Sequence, residues 1–470
     1  MTLQSDSQRE PVSLAVAILA AGKSTRFNSS GPKHVHPVAG VPIVKRIISA
    51  ARAINPDHIC VVINPEMTDL ATQLDMEGQF DTAIMEVPTG TAHAVLAAIE
   101  ALPEVDYIIS VLGDNPLLTD EIMLKLVQDA LEKDATVTLL TCKLDDAAKY
   151  GRIARDDEGR VTAIIEFVND DPSQREGITE INSGIMVLKR NWALEAIRTL
   201  PMDPVKKEFF LTDLVTVAVA EHQDGEPWPV DAVIGPENVS VGINTRVEQA
   251  NADAIVRKEM RLKHMTAGVS MVGPETIFID ETVTIGQDTT LLPGTILLGN
   301  TSIGRGCTIG PYAVLIDATI GDNVTIRTST VEKSTVRNDA DTGPYAHVRE
   351  GCDIGERSHI GSFAELKNAH LDADVKNGHF GYLGDVHIGE NTNIGAGTVT
   401  ANYDGIQKHH TEIGKDVFIG SDTVLVAPVT VEDGSRTGAG SVVNKPVRSG
   451  QTVVGIPARP IASRKSHVKE

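Results

Sequence analysis

An Ile-Gly pair recurs through the stretch from about Thr276 to Val447 and limits what this chain can fold into more than any other feature. It stands at Ile303-Gly304 and Ile309-Gly310, at Ile354-Gly355 and Ile360-Gly361, at Ile388-Gly389 and Ile394-Gly395, and at Ile413-Gly414 and Ile419-Gly420, each pair six residues from its mate. One apolar residue per short period, followed by glycine and small or polar residues, suits a solenoid of very short parallel strands. The Ile side chains fill a narrow core, glycine allows a tight turn, and stacked coils bury what no single coil could. A helix needs apolar residues at a period of roughly 3.6, which these units lack. Hairpins would show strict alternation with Asn-Gly-type turns, also absent. The stretch is expected to form a β-helix of hexapeptide repeats.

The repeat takes up only part of a 470-residue chain, which is long enough for two or three domains. With 41% apolar residues and ordinary charge content the chain reads as soluble and globular. A formal net charge of −22 with no basic stripe argues against nucleic acid as a partner. Anionic metabolites remain open, because a few cations and backbone N–H groups decide such sites locally. Cys60, Cys142, Cys307 and Cys352 are scattered without metal-ligand spacing and read as small buried thiols in a reducing compartment. The first residues lack a signal peptide's apolar core, and no apolar run approaches about 18 residues, so a cytoplasmic location without membrane contact is expected.

Upstream of the repeat, Val12–Ala21 is a continuous apolar run, as in a strand buried on both faces of a parallel sheet. It passes into Gly22-Lys23-Ser24-Thr25-Arg26 and then Pro32-Lys33. A glycine turn there places N–H groups and cations at the sheet's C-terminal edge, where α/β folds bind phosphates. A P-loop is excluded because its first glycine would fall on Ala17, and G-x-G-x-x-G is missing. On pattern alone a plain strand–helix turn is an equal reading. Further strands are expected at Ile59–Ile63, Tyr107–Leu112, Ala135–Cys142, Val161–Glu166, Ile181–Leu188 and Val239–Ile243, with helices at Thr91–Leu102 and Glu208–Ala220. Asp114, after Gly113 at the end of a strand, could hold Mg²⁺ beside a triphosphate or simply cap a turn.

From Thr245 to about Met265, apolar Val247, Ala250, Ala254, Ile255 and Met260 recur among charges, an amphipathic bridge between domains. Thr398–Thr411 interrupts the repeat and is expected to project from it. The expected division is a disordered terminus over 1–11, an α/β domain over 12–244, a linker helix over 245–267, the β-helix over 268–447 and a tail over 448–470.

Leu19-Ala20-Ala21-Gly22-Lys23-Ser24-Thr25-Arg26 with Pro32-Lys33, upstream of a hexapeptide helix, resembles the sugar-1-phosphate nucleotidylyltransferases. Gly378 through Asp385, Asn393 through Thr398, and Asn402-Tyr403-Asp404-Gly405 narrow the resemblance to a bifunctional family over roughly Leu14 to Val447. In that family a glucosamine-1-phosphate N-acetyltransferase is joined to an N-acetylglucosamine-1-phosphate uridylyltransferase. The resemblance implies a Rossmann-like α/β nucleotidylyltransferase domain followed by a left-handed parallel β-helix. Acetyl-CoA and UTP would be co-substrates, with glucosamine 1-phosphate and N-acetylglucosamine 1-phosphate the acceptors in turn. It further implies Mg²⁺, a homotrimer and a place in cell-envelope precursor synthesis (peptidoglycan and lipopolysaccharide).

By the same resemblance Leu19, Ala20, Ala21 and Gly22 would line the nucleotide, and Arg26 and Lys33 would neutralise the triphosphate. Gly90 and Thr91 would lie near the base, Asp114 and Asn244 would hold Mg²⁺, and Gly151, Glu166 and Asn182 would hold the amino sugar. His379 would be the base of acetyl transfer, as imidazole suits deprotonation of an amine. Other histidines of the repeat read as turn residues, and only its place within Gly378–Asp385 singles this one out. Arg349 and Lys367 would bind the sugar phosphate, and Tyr382 and Asn393 would orient the amino sugar. Asn402 and Tyr403 would stabilise the intermediate or touch the cofactor, and Ala396, Ser421 and Ala439 would line the acetyl-CoA groove.

The chain departs from the family in three places. Met85 replaces a Gln that reads the uracil edge, and a thioether cannot offer an amide's paired donor and acceptor. Leu112 replaces a common aromatic. Arg459 could replace a C-terminal Arg on CoA only with a one-residue shift. His409-His410 lacks a third metal ligand at suitable spacing. Two rival readings remain at this point: a nucleotidylyltransferase with a purely structural β-helix, and a regulatory subunit that has lost chemistry.

Overall fold

The computed structural model describes residues 12–147, 150–166, 177–204 and 206–461, so the expected disordered terminus over 1–11 and the end of the tail lie outside the described residues. The chain divides into two compact units, Met1–Ala254 and Ile255–Glu470, with the boundary inside the helix Arg246–Thr266. In the first unit the strands lie in the order Val230–Ile234, Val137–Lys143, Glu180–Lys189, Tyr107–Leu112, Leu14–Leu19, His58–Ile63, Asp81–Ile84. Pairing is parallel except where Glu180–Lys189 runs antiparallel to both neighbours. Leu14–Leu19 is central, and its first five residues are buried, as its unbroken apolar run requires. The chain leaves this strand toward His58–Ile63 on one side and returns as Tyr107–Leu112 on the other. The C-terminal ends of Leu14–Leu19 and Tyr107–Leu112 therefore flank the crevice where α/β sheets bind ligands. Gly113 N–H donates to the Leu19 carbonyl there (2.9 Å).

Three expectations for this unit are corrected. Val239–Ile243 is not a strand: Glu237–Ser240 forms a 3₁₀ turn after extended Pro236, and Asn115 Nδ2 donates to the Val239 carbonyl. Val239 and Ile243 are apolar because they are buried at 0%, not because they pair in a sheet. The helix expected from Glu208 starts at Asp213. Phe209 is kept outside the helix by its N–H on the Thr89 carbonyl (2.8 Å), with Ala92 N–H on its own carbonyl (3.1 Å). The helix Arg246–Thr266 is present, but Ala252, Val256 and His264 are the residues it buries, whereas Val247 is 70% exposed. Spacing alone could not choose between two stripes of small apolar residues. The helix starts with a capping box: Glu248 Oε2 accepts from Thr245 N–H (2.8 Å) while Thr245 Oγ1 accepts from Glu248 N–H (3.2 Å).

In the second unit a triangular prism forms from two- and three-residue parallel strands, a left-handed β-helix of hexapeptide repeats. The first face runs through strands such as Thr308–Ile309, His359–Ile360, Lys376–Asn377 and Asn393–Ile394. The second includes His347–Val348, the start of Ala364–Leu371 and the start of Gly381–Ile388. The third includes Asp353–Ile354 and the ends of those same two long strands. All eight Ile residues of the repeat pairs are at most 5% exposed and belong to one continuous core. The paired glycines act mainly through close approach, not turn geometry. A Cβ on Gly361 would overlap the Gly378 carbonyl of the next coil. Gly361→Ala should therefore pry two coils apart and cost roughly 1–3 kcal/mol, the range for overpacking, measurable as a lowered denaturation midpoint of this unit.

The interruption is shorter than expected. Val399–Ala401 remains a strand of the second face, and Thr398 and Thr400 are buried. Only the segment after it projects, closed by an isolated Tyr403↔Lys408 bridge, before Thr411–Ile413 rejoins the third face. The register offset accordingly jumps to 25 between Val386 and Thr411, against 18 between Glu412 and Thr430. The coil also continues past Val447, where Thr452–Val454 adds a parallel strand and Arg459–Pro460 folds back on it.

Candidate active sites

In the first unit, residues far apart in sequence meet at the sheet's C-terminal edge. The buried Lys33 ammonium bonds to the Asp114 carboxylate and to Asn244 Oδ1 (2.9 Å). Asp114 is there because Tyr107–Leu112 ends beside Leu19. Asn244 is there because Ile243 N–H donates to the Asp114 carbonyl (2.8 Å) and Glu248 of the capping box takes Asn244 N–H (2.7 Å). Two hard oxygens thus converge on one cationic group, the donor chemistry Mg²⁺ takes when phosphates complete its shell. Arg26 is exposed and has no ion pair among the described residues, and apart from its chain neighbours none of those residues comes within 4 Å of where a Cβ on Gly22 would stand. Ala20 and Ala21 are buried, with Ala20 N–H on the Val62 carbonyl (2.8 Å).

The expected sugar residues also come together. Asn182 N–H donates to the Gly151 carbonyl (2.9 Å), and the Glu166 carboxyl lies 3.4 Å from where a Cβ on Gly151 would stand. Burial raises the Glu166 carboxyl above its ordinary range, opposed by a hydrogen bond from Thr212 Oγ1 (3.0 Å). Gly90 has φ 116°, and a side chain there would strike the Phe209 backbone. The Thr91 hydroxyl accepts from Leu211 N–H (3.1 Å). Met85 is 7% exposed within the apolar core, its N–H on the Ile63 carbonyl (2.8 Å). Leu112 packs against Gly184.

Sequence reasoning missed His34, which is 2% exposed beside Lys33, with an Nδ1 that finds no partner among the described residues. Burial, then the neighbouring Lys33 charge, lowers its pKa to about 4, with Asp114 opposing. The folded pKa lies below the unfolded one, so stability is complete above about pH 6.5 and falls as pH drops toward 4. The loss should reach about 3 kcal/mol. Thermal melts across that range should show the slope in wild type and a flattened one in His34→Leu.

In the second unit the expected acetyl-site residues occupy two prism corners and the faces beside them. His379 follows Gly378 at the corner between the first and second faces and is exposed. Ala396, Ser421 and Ala439 continue that column in later coils, with Asp422 N–H on the Ala396 carbonyl (2.6 Å) and Gly440 N–H on the Ser421 carbonyl (2.8 Å). Arg459 lies past Ala439, its strand paired with Val454, and its Nη1 donates to the Ala458 carbonyl (2.8 Å). Asn393 is on the first face, one coil beyond Lys376. Tyr382 is on the second face and pairs in register with Glu365. Arg349 and Lys367 stand at that face's far edge, held by Glu365 (2.8 Å) and Glu350 (3.3 Å). Asn402 and Tyr403 leave from the next corner. His409 and His410 bind Asp404 (2.7 Å) and Glu412 (3.2 Å), and no group of three acidic, His or Cys side chains among the described residues could hold a metal.

An α/β sheet edge with a buried lysine between Asp114 and Asn244, and a hexapeptide corner carrying an exposed histidine, suit a chain that joins a nucleotidylyltransferase to an acyltransferase. The MobA-like NTP transferase domain family matches residues 16–157, and the bacterial transferase hexapeptide family (six repeats) matches 282–316 and 410–445. Proteins named bifunctional protein GlmU are similar along nearly the whole chain. The one from Caldanaerobacter subterraneus subsp. tengcongensis is 37% identical over 94% of this chain and 95% of its own. Those from Thermodesulfovibrio yellowstonii (39%, over 92% and 94%) and Mycobacterium leprae (38%, over 94% and 90%) are comparable. The chain belongs to the bifunctional GlmU family. It is an acetyltransferase and uridylyltransferase of UDP-N-acetylglucosamine synthesis, acetylating glucosamine 1-phosphate and then uridylylating the product, which removes the structural-repeat and regulatory-subunit readings.

Proposed function

We propose that each unit carries one of the two reactions. In the first, Lys33 and Arg26 neutralise the triphosphate of UTP while Leu19–Gly22, Met85, Gly90, Thr91 and Gly113 shape the nucleotide site and Gly151, Glu166 and Asn182 hold the sugar. A phosphate oxygen of N-acetylglucosamine 1-phosphate attacks the α-phosphorus, and the bond to the bridging oxygen of pyrophosphate breaks. No protein nucleophile is needed, so positioning and charge compensation carry the rate. Asp114 and Asn244 would hold Mg²⁺, which supplies further charge neutralisation when bound. The observation that supports this reading is the convergence of Asp114 and Asn244 on Lys33.

In the second unit His379 takes a proton from the 2-amino group as its nitrogen attacks the thioester carbon and the C–S bond breaks to release CoA. Arg349 and Lys367 bind the phosphate, Tyr382 and Asn393 orient the sugar, and Ala396, Ser421, Ala439 and Arg459 line the cofactor. The active form is a homotrimer whose acetyl sites are shared. Two features support this. Asp385, the residue beneath Asn402, stands six positions beyond His379 across the second face, a span of about 20 Å along the chain. In addition, Tyr312, Tyr345, Phe363 and Phe380, exposed by 68%, 59%, 64% and 55%, stand in the His379 corner column, with Tyr345 and Phe363 stacked at 5.2 Å. An apolar ladder of this kind calls for cover. Phe363→Asp is expected to dissociate the trimer in light scattering and abolish acetyl transfer while sparing uridylyl transfer. A variant that stays trimeric would refute the contact. We also place the enzyme in the cytoplasm, serving cell-envelope precursor synthesis, a setting that suits its four buried free cysteines.

Paired assays test the division of labour. One follows CoA thiol release from acetyl-CoA and glucosamine 1-phosphate, the other pyrophosphate release from UTP and N-acetylglucosamine 1-phosphate.

A further inference from the structure

The projecting loop leaves the prism at a corner where three polar side chains meet. One oxygen of the Asp385 carboxylate accepts from Asn368 Nδ2 (2.7 Å) and the other from Asn402 Nδ2. The three stand in one column, one per coil, between the second and third faces. Asn402 is only 7% exposed, and its carbonyl accepts from His409 N–H (2.7 Å), closing the neck of the loop. Beyond the neck the loop is braced internally. The Asp404 carboxylate takes Ile406 N–H and Gln407 N–H (both 2.8 Å) and His409 Nε2 (2.7 Å). A braced loop moves as a body, so its aim is set where it joins the prism. At the entry end that junction is a buried amide held by a charged acceptor, a strong and directional contact.

We propose that Asp385 is a positioning residue for acetyl transfer: through Asn402 it aims the Tyr403 loop of one chain at the His379 corner of a neighbouring chain. The proposal rests on the reading of that corner as the acetyl site. Asp385 touches neither substrate and acts through the loop, and a small error in aim costs rate steeply.

Asp385 has φ 49°, so alanine would add backbone strain. Asp385→Gly removes the carboxylate without it, and Gly351 already occupies the same column with φ 79°. Asp385→Gly should lower kcat/KM for acetyl-CoA by about 100-fold, leaving the KM for glucosamine 1-phosphate and uridylyl transfer unchanged. Asp385→Asn, with one carbonyl acceptor for two amides, should fall between. Wild-type kcat/KM for acetyl-CoA in Asp385→Gly, or a raised KM for glucosamine 1-phosphate, would overturn the proposal. Co-expression of Asp385→Gly with His379→Ala chains separates neighbour from self. If the loop serves a neighbour, about one quarter of all sites in randomly assembled trimers, roughly one in three within each mixed trimer, pair an intact loop with an intact His379, and acetyl transfer returns to that level. No recovery would overturn the reach between chains. Acetyl transfer surviving in His379→Ala alone would instead remove the assignment of His379, whatever Asp385→Gly does.

Discussion

His379→Ala should abolish CoA release from acetyl-CoA and glucosamine 1-phosphate while pyrophosphate release from UTP continues at the wild-type rate. An amine must lose a proton to form an amide, and removing a positioned base costs typically ~10²–10⁴-fold. His379 is exposed at a prism corner and has no side-chain partner among the described residues, so its loss leaves no buried group unpaired and folding should be unaffected. The stacked coil around it is held instead by backbone pairing and the Ile core. Thiol release at the wild-type rate would remove His379 from the mechanism. Loss of both activities in a folded variant would contradict two separate sites.

The opposite pattern is expected of Asp114→Asn: pyrophosphate release lost, thiol release retained. Asp114 is the anionic partner of the buried Lys33 ammonium and, with Asn244, the proposed Mg²⁺ ligand. Asparagine keeps the shape and one oxygen but loses the charge that a divalent cation demands. Leaving Lys33 without its counter-charge also destabilises the fold, since breaking a buried pair costs about 3–5 kcal/mol. Lys33 retains Asn244 Oδ1, which places the expected loss at the low end of that range. Raising Mg²⁺ should rescue part of the activity if ligation is what was weakened. A variant with full activity at low Mg²⁺ would refute the role.

Much of both sites could be read from local sequence, for reasons that differ. The β-helix was legible because each hexapeptide repeats one physical requirement, a buried Ile above a glycine with no room for a side chain. The Gly22–Lys33 stretch was legible because a buried strand must deliver its turn to the sheet edge. Where local reading went astray, a contact from elsewhere in the chain had settled the outcome. Val239–Ile243 has a strand's apolar content, yet Pro236 and Asn115 draw it into a turn. Phe209 precedes a helix but is tied outside it by Thr89 and Ala92. In the helix Arg246–Thr266 either of two stripes satisfied the spacing, and Ala252 and Val256 were the ones buried.

By itself the sequence determined the two architectures, the glycine turn and its cations, and the histidine within Gly378–Asp385, because periodicity and short motifs act between residues near one another in the chain. Tertiary structure decided which distant groups meet: Lys33 with Asp114 and Asn244, Glu166 with Thr212, and Asp385 with Asn368 and Asn402. Those meetings depend on strand order and on coil register, which bring together residues 17 to 211 positions apart, and no local pattern encodes them.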